Sequence, residues 1–286
     1  MRLLKRILIW TGGLLLVLLA TATILYLIYV RPFMQNMKKV SIIQYDKELT
    51  LVLGGGGNSG ILTSDSLVIV IDTKMDDAAK QLNKMVRDLA GKKPILVINT
   101  HDHPDHSKGN VLYKGYPIIA GGNYTKESWI KDAGEESLPT QWLKDRMDIH
   151  MGDETVTLLN LGRNTHTPSD VVVYLHKRKM LFCGDVVLNK QAPVLIGKAD
   201  ADGYMAAFDM LPKVFEIQKI VPGHGAVGGP EIIGDFRQYF IDMKTAAADD
   251  SKKDELVAKY KDWWQIPLAM SPGATISYYK KKSETR

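Results

Sequence analysis

The most chemically distinctive part of the sequence is a run of histidine and aspartate residues at positions 99–106, Asn-Thr-His-Asp-His-Pro-Asp-His. The apolar residues just before it predict a buried β-strand, so the run lies at the carboxyl end of a strand, where open α/β sheets often place their sites. His101 and His103 are two positions apart on extended chain, point to the same side and could bind one metal ion. Asp105 and His106, beyond the proline turn, could bind a second ion. Imidazole and carboxylate ligands suit zinc, and no thiolate is needed.

Three later motifs supply the same types of side chain. His166 lies in a turn before the predicted strand Val171–Leu175, and Asp185 follows the predicted strand Met180–Phe182 in the sequence Cys-Gly-Asp. His224 lies in the sequence Pro-Gly-His-Gly, after another short apolar segment. A lone histidine is ordinarily a hydrogen-bonded structural residue, but three histidines and two aspartates within six positions are poorly explained in that way. These motifs therefore predict a metal centre.

The run His-x-His-x-Asp-His at positions 101–106 resembles the signature of the metallo-β-lactamase superfamily, and the later motifs follow in the same order as in that family. The resemblance covers roughly residues 42–245. It implies a protein of the α/β class, a four-layer αβ/βα metallo-β-lactamase sandwich with the metals at one edge between its two halves. It also implies that Asp72, at the end of an early strand, orients the histidine loop.

The same resemblance implies which metal each residue binds. The first metal would be held by His101, His103 and His166. The second would be held by Asp105, His106 and His224. Asp185 is similar to the carboxylate that bridges the two metals in the family, and Asp105 and Asp185 are the predicted catalytic residues. The predicted metal ligands are therefore His101, His103, Asp105, His106, His166, Asp185 and His224.

A dinuclear centre of this kind implies a hydrolytic reaction. Two zinc ions about 3.5–4 Å apart, with iron or manganese as alternatives, would share a water and lower its pKa toward neutrality. The expected reaction is attack of a metal-bridging hydroxide on an ester, thioester or lactone-type carbonyl, whose oxygen would bind the first metal. A metal-bound water or Asp105 would protonate the leaving group. The sequence therefore predicts an enzyme, a metal-dependent hydrolase with a small-molecule substrate.

The residue at position 185 narrows the substrate class. By family comparison, true β-lactamases carry cysteine or serine at the position of Asp185, so the resemblance favours hydrolases similar to glyoxalase II and the lactonases. Three alternatives remain open: a β-lactam hydrolase, a mononuclear iron dioxygenase of the same fold, and a non-catalytic binding protein on the same scaffold. The complete set of second-metal ligands favours hydrolysis over the dioxygenase. A binding protein would normally have lost some of these ligands.

The distribution of charge argues against a nucleic-acid partner. The formal net charge is +5, but residues 1–39 contain six basic residues and no acidic residue. Residues 40–286 then hold 31 basic and 32 acidic residues, so the body of the protein is nearly neutral. A basic isoelectric point that comes from the amino terminus gives no reason to expect a phosphate-binding surface.

The amino-terminal segment predicts a membrane anchor. Residues 7–30 contain no charged side chain, and 24 residues at 1.5 Å each can cross a hydrocarbon core of about 30 Å. Trp10 near one end and Tyr29 near the other suit the two membrane interfaces. The alternative is a cleaved signal peptide, since Ala-Thr-Ala at positions 20–22 fits a peptidase site. The length of the apolar segment favours an uncleaved single-pass anchor.

The boundaries of the predicted domains follow from this anchor. Residues 1–31 would form a cytoplasmic stub and the transmembrane helix, residues 32–40 a linker, and residues 41–286 a hydrolase domain with a carboxyl-terminal helical extension. Because only six residues precede the apolar segment, the simplest orientation leaves the amino terminus in the cytoplasm and the catalytic domain outside it.

Two further features of the sequence have less specific interpretations. Residues 54–57 are all glycine, but no Gly-Lys-Ser/Thr follows, so a nucleotide-binding loop is disfavoured. A flexible hairpin turn and a mobile flap over the site are both compatible with this glycine run. Tyr204 is interpreted as a packing residue. Residues 254–264 are predicted to form a helix, and residues 260–267 are expected to cover the sandwich, with a position bordering the pocket as the alternative.

Overall fold

The computed structural model describes residues 2–31, 39–124, 126–197, 199–266 and 268–284. The chain divides into two compact units, Met1–Lys39 and Val40–Arg286. The amino-terminal unit contains helix α1 (Arg2–Leu25), which continues into one π-helical turn (Tyr26–Val30). Within it, Trp10–Tyr29 is long and apolar enough to cross a membrane, with a mean hydropathy of 2.2, and a signal sequence would have the same properties.

Two β-sheets form the centre of the second unit. In the described part of the chain, the first sheet has seven strands, which lie side by side in chain order. They are β1 (Val40–Gln44), β2 (Leu49–Gly54), β3 (Ser59–Thr63), β4 (Val68–Ile71), β5 (Ile95–Ile98), β6 (Ile118–Gly121) and β7 (Gln141–Leu143). The pairs from β1 to β4 are antiparallel and the pairs from β4 to β7 are parallel. The carboxyl ends of β4 to β7 therefore meet at one edge.

The second sheet contains the later strands. Its strands are β8 (Arg146–Met151), β9 (Glu154–Asn160), β10 (Val171–Leu175), β11 (Met180–Phe182) and β12 (Lys219–Val221). They lie in the order β12-β11-β10-β9-β8, and only the β11–β12 pair among these described strands is parallel. The carboxyl ends of β11 and β12 thus also meet at one edge.

Helices cover the outer faces of both sheets. The helices of this unit are α2 (Asp76–Ala90), α3 (Pro104–Ser107), α4 (Lys126–Ala133), α5 (Ala201–Val214), α6 (Glu231–Ala248), α7 (Lys253–Ala258) and α8 (Pro272–Glu284). Helix α2 packs on the first sheet through Leu82 and Val86, and α5 and α6 pack on the second through Phe208 and Phe240. The predicted four-layer αβ/βα sandwich is therefore confirmed.

Alternation along the strands divides the core into layers. On β10, Val171 and Val173 belong to the apolar cluster between the two sheets, whereas Val172 and Tyr174 belong to the cluster under α5 and α6. Successive side chains of a strand point to opposite faces, so a strand buried on both sides needs apolar residues throughout. The second sheet is therefore packed against apolar residues on both of its faces.

Candidate metal centre

The predicted metal ligands all follow strands of the two sheets. The histidine run follows β5, and His166 lies in the loop between β9 and β10. Asp185 and His224 follow the neighbouring parallel strands β11 and β12. Four separate segments of the chain therefore meet at one edge of the sandwich, between its halves.

One group of ligand atoms contains His101, His103, His166 and Asp185, whose ligand atoms all lie within 4.8 Å of one another. His166 Nε2 is 2.9 Å from His103 Nδ1 and 3.4 Å from Asp185 Oδ2. His101 Nε2 is buried and has no hydrogen-bond partner among the described residues. These four side chains form what we call the first ligand group.

A second group contains Asp105, His106 and His224, again with all ligand atoms within 4.8 Å of one another. Asp105 Oδ2 lies 3.2 Å from His224 Nε2 and 3.7 Å from His106 Nε2. We call this the second ligand group. The structure thus brings together all of the side chains that the sequence predicts as ligands, in two neighbouring sets.

Asp185 lies between the two groups. Its Oδ2 is 3.4 Å from His166 Nε2 in the first group. Its Oδ1 is 3.2 Å from His106 Nε2 and 3.4 Å from His224 Nε2 in the second. Each carboxylate oxygen therefore faces a different set of imidazole nitrogens, which is the arrangement that a carboxylate shared by two cations requires.

Hydrogen bonds on the far ring nitrogens select the tautomers that metal binding needs. Thr100 Oγ1 donates to Asp72 Oδ2 at 2.8 Å, so in its 3.0 Å contact with His101 it accepts a hydrogen bond from Nδ1–H. Tyr204 OH donates to the carbonyl oxygen of Asp185 at 3.2 Å and therefore accepts from His166 Nδ1 at 3.0 Å. Both histidines are left with a free lone pair on Nε2, directed toward the other ligands. Tyr204, interpreted from the sequence as a packing residue, also has this orienting contact.

Asp72 holds the histidine run as expected. Its carboxylate accepts hydrogen bonds from Thr100 N at 2.7 Å and from Thr100 Oγ1 at 2.8 Å. Asp72 Oδ2 also contacts His106 Nδ1 at 2.7 Å, which leaves His106 Nε2 for a metal. The residue is buried and has a φ of 58°, a left-handed conformation that aspartate tolerates better than most residues.

Asp170, which was not predicted from the sequence as a functional residue, holds the His166 loop. Its Oδ2 accepts hydrogen bonds from His166 N and Thr167 N, both at 2.9 Å, and from Thr165 Oγ1 at 2.6 Å. Its Oδ1 accepts from Thr167 Oγ1 at 2.7 Å. Burial raises the pKa of Asp170 to about 6, although these donors oppose the shift. An aspartate that closes a threonine-rich turn was the available signal, because such side chains bind nearby backbone N–H groups.

The glycine run packs directly against the second ligand group. A Cβ added to Gly57 would overlap the imidazole ring of His106, and one added to Gly56 would lie 2.8 Å from Asp105 Cβ. Gly55, Gly56 and Gly57 are buried. The run connects the antiparallel strands β2 and β3, so it forms the predicted hairpin turn, and its glycines allow close approach to the ligands.

The two ligand groups differ in their electrostatics. Burial lowers the pKa of His101, of His103 and of His166, the last to about 3, so these rings are neutral and ready to bind a cation. Burial also disfavours a charged ring at His106 and at His224, but nearby carboxylates outweigh it and raise both pKa values, that of His224 to about 9. A cation at the second group would therefore displace protons as it binds.

The donor set fits a pair of divalent cations. His101 Nε2, His106 Nε2 and Asp185 Oδ1 are buried without a hydrogen-bond partner among the described residues. Such atoms are rare in folded proteins and require a specific explanation. Nitrogen and carboxylate oxygen are ligands that zinc, iron and manganese accept. Two cations, one in each group and both next to Asp185, would satisfy all three atoms.

The fold and this centre define the class of protein, a metal-dependent hydrolase built on a four-layer α/β sandwich. The model of one family, the metallo-beta-lactamase superfamily, matches residues 52–224. The match covers more than half of the chain and includes every predicted ligand. The chain belongs to the metallo-β-lactamase superfamily.

Similar proteins include both β-lactamases and a thioesterase. A metallo-beta-lactamase type 2 of Bacillus sp. (strain 170) is 29% identical over 175 residues, which are 60% of this chain and 67% of that protein. The acyl-coenzyme A thioesterase MBLAC2 of Bos taurus is 23% identical over 176 residues, 52% of this chain. The aligned part spans 62% of that thioesterase, less than two thirds of its length.

Solved structures show the same fold. A metallo-beta-lactamase from Pontibacter korlensis has a TM-score of 0.60 and 20% sequence identity. The alignment covers 70% of this chain and 98% of that structure. At this level of identity the likeness establishes the architecture and not the substrate.

Proposed function

We propose that the enzyme is a dinuclear hydrolase that cleaves an ester, thioester or lactone-type carbonyl. The observation that carries this proposal is the position of Asp185, whose two carboxylate oxygens face different ligand groups at 3.2–3.4 Å. Two zinc ions bound there would supply a hydroxide nucleophile near neutral pH and polarise the carbonyl. A single-metal site would have no use for the second ligand group.

Asp105 and Asp185 are the proposed catalytic residues. Burial would raise the pKa of each carboxyl group, but the neighbouring His106 and His224 outweigh it and keep both pKa values below the ordinary value. Both side chains are therefore ionised, as ligands must be. Asp105 has a side chain that is 19% exposed, so it can also take a proton from the nucleophile and return it to the leaving group.

The substrate class rests on two observations. An aspartate, not the cysteine or serine of true β-lactamases, lies at position 185, and one relative is an acyl-coenzyme A thioesterase. A β-lactam hydrolase is the second candidate, favoured by the 29% identity to the Bacillus enzyme. The complete second ligand group argues against a mononuclear iron dioxygenase and against a binding protein without activity.

We also propose that the protein is anchored in a membrane by an uncleaved helix within residues 1–31, with residues 41–286 as the catalytic domain outside the cytoplasm. The apolar segment Trp10–Tyr29 supports the anchor. The linker assigned to residues 32–40 lies mostly outside the described residues. The nearly neutral charge of residues 40–286 supports a small-molecule substrate over nucleic acid.

The test is to purify the full chain in detergent micelles, measure bound metal by plasma mass spectrometry, and assay thioester, lactone, ester and β-lactam panels. The wild type should bind two zinc ions and show metal-dependent turnover. Asp185→Asn and His166→Ala should each reduce both the zinc content and the turnover. His150→Ala is the matched control, because His150 is exposed on β8 and, among the described residues, its ring contacts Thr155 in the same sheet. One bound iron, or no turnover with metal present, would refute the proposal. Turnover of β-lactams alone would establish the second candidate.

A further inference from the structure

We propose that Lys74 and Asn58 are positioning residues that assemble the second ligand group through the glycine run at residues 54–57, and that they set the affinity for the second metal alone. This inference rests on the proposed dinuclear function. It concerns residues that neither the family motifs nor the ligand set includes.

Lys74 is buried beneath the glycine run. Its side chain is 0% exposed, and Nζ donates to the carbonyl oxygens of Gly54 and Gly57, both at 2.5 Å. Burying an amine costs free energy unless the amine is hydrogen-bonded, so these two hydrogen bonds offset the cost of burying Nζ. The backbone of Lys74 is left-handed, with a φ of 61°, an uncommon conformation for a long side chain. Such a residue persists where the surrounding structure requires it.

The run that Lys74 holds forms one wall of the second ligand group. Gly57 N donates to the carbonyl oxygen of Asp105 at 3.2 Å, and the Cα of Gly57 lies against the ring of His106. Gly56 packs on the Cβ of Asp105. The bonds from Lys74 to both ends of the run therefore fix the surface on which two of the three second-group ligands rest.

Asn58 fixes the third ligand. Its Nδ2 donates to the carbonyl oxygens of Pro222 and Gly225, both at 2.9 Å, and its backbone N–H donates to Gly223 O at 2.7 Å. These carbonyls flank His224 on both sides. Asn58 Oδ1 accepts a hydrogen bond from Gly54 N at 3.0 Å. The same side chain therefore also links to the first residue of the glycine run.

His101 and His166 of the first ligand group are held by other partners. Thr100 contacts His101, and Asp170 and Tyr204 hold His166. None of these hydrogen bonds involves the glycine run, Lys74 or Asn58. Removing a partner of the run should therefore weaken the second group and leave the first group intact.

The experiment measures the two metal affinities separately, by calorimetric titration of zinc into the metal-free full chain in detergent micelles. Lys74→Met keeps the length and apolar stem of the side chain but removes its donors, and Asn58→Asp keeps the acceptor Oδ1 but removes Nδ2. Lys80→Met is the matched control, because Lys80 lies on an exposed face of α2. Cobalt absorption spectra, recorded at one and at two equivalents, give a second readout of the same sites.

Wild type and Lys80→Met should bind two zinc ions. In Lys74→Met and Asn58→Asp, the second affinity should fall about 10- to 100-fold, the range found for lost partners of metal ligands, while the first stays within about threefold. Unchanged second affinity in both variants would overturn the inference. Equal loss of both affinities, or a general loss of folding seen by circular dichroism, would also overturn it, since the role would then be structural. A wild type that binds one metal would instead refute the dinuclear function, and with it this inference.

Discussion

At the scale of single residues, the centre depends on groups that never touch a metal. Asp72 accepts hydrogen bonds from Thr100 and contacts His106. Asp170 accepts hydrogen bonds from the backbone N–H groups of His166 and Thr167. Asp72 fixes the tautomer of His106, and Asp170 fixes the backbone from which the His166 ring projects. Losing them should therefore affect metal affinity more than it affects the fold.

Replacing Asp72 with asparagine tests this role directly. Asparagine also tolerates the left-handed φ of 58° at this position, so the backbone should not change. Its amide cannot accept all three hydrogen bonds, so His106 should lose its fixed tautomer. We expect metal affinity or kcat/KM to fall about 10- to 100-fold, with little change in the melting temperature of the metal-free protein. Asp65→Asn, at an exposed loop position, is the control; equal affinities in the two variants would contradict the assignment.

Lys74 should make stability depend on pH near neutrality. Burial lowers its pKa to about 7 from an ordinary value of 10.5, although Asp72 and Asp105 oppose the shift. Between pH 7 and pH 10.5, Lys74 carries a proton in the unfolded chain but not in the folded protein. The contribution of Lys74 to the free energy of unfolding is therefore complete above pH 10.5 and is lost as the pH falls through 7. The free energy of unfolding of the wild type, relative to Lys74→Met, should rise by up to about 1.4 kcal/mol per pH unit above pH 7.

Urea unfolding of both metal-free proteins at a series of pH values measures this difference. Comparing the two proteins removes the contribution of the histidines, which both contain. A difference that stays constant as the pH rises would show that Lys74 does not lose its proton in this range.

The residues with a local sequence signal were the ones that could be predicted. The histidine run, His166, Asp185 and His224 lie in short motifs, and the structure brings them together. Lys74 had no such signal, because its partners Gly54 and Gly57 are about twenty positions away in the sequence. The orienting contact of Tyr204 with His166 was missed for the same reason. Contacts between distant residues require the fold, which a single sequence does not display.

At the scale of elements, the glycine run packs directly against Asp105 and His106 of the second ligand group. Gly57→Ala adds a Cβ that would overlap the ring of His106, while the backbone of Gly57 needs no left-handed conformation. The effect of this substitution is therefore steric. We expect a selective loss of the second metal and a fall in kcat/KM of at least about tenfold.

Gly234→Ala is the matched control for this substitution. Gly234 lies inside α6, and a Cβ added there meets no atom within 4 Å. Alanine in an open helix position stabilises by up to about 1 kcal/mol, so metal stoichiometry should not change and the melting temperature should rise slightly. Equal metal binding in the two variants would show that the run can yield without moving His106.

The elements that the sequence predicted poorly have weak internal patterns. Strands β1, β7 and β8 were not predicted from the sequence, because β1 is mostly exposed at an edge and β7 has only three residues. The helix predicted for residues 254–264 ends at Ala258, and Trp263 instead stacks on Tyr239 at 5.1 Å. The strands buried on both faces, in contrast, were predicted within one or two residues, since their apolar runs leave few other interpretations.

At the scale of the whole molecule, the amino-terminal segment decides where the enzyme acts. An uncleaved anchor predicts that the full chain stays in the membrane fraction after carbonate extraction and keeps its first residues, as mass spectrometry of the intact protein would show. Residues 40–286 alone, a compact unit, should be released as a soluble form with the same metal content. A mature protein that begins after the Ala-Thr-Ala sequence at positions 20–22 would contradict the anchor and indicate a signal peptide.

The single cysteine of the chain has a consequence for the conditions under which the enzyme works. Cys183 is buried two residues before Asp185, and burial raises the pKa of its thiol. Oxidants and disulfide exchange act on thiolates, and every proposed metal ligand is a nitrogen or an oxygen atom. The proposed ligand set therefore contains no sulfur atom that peroxide could oxidise. The enzyme should need no reductant, a property well suited to an oxidising compartment.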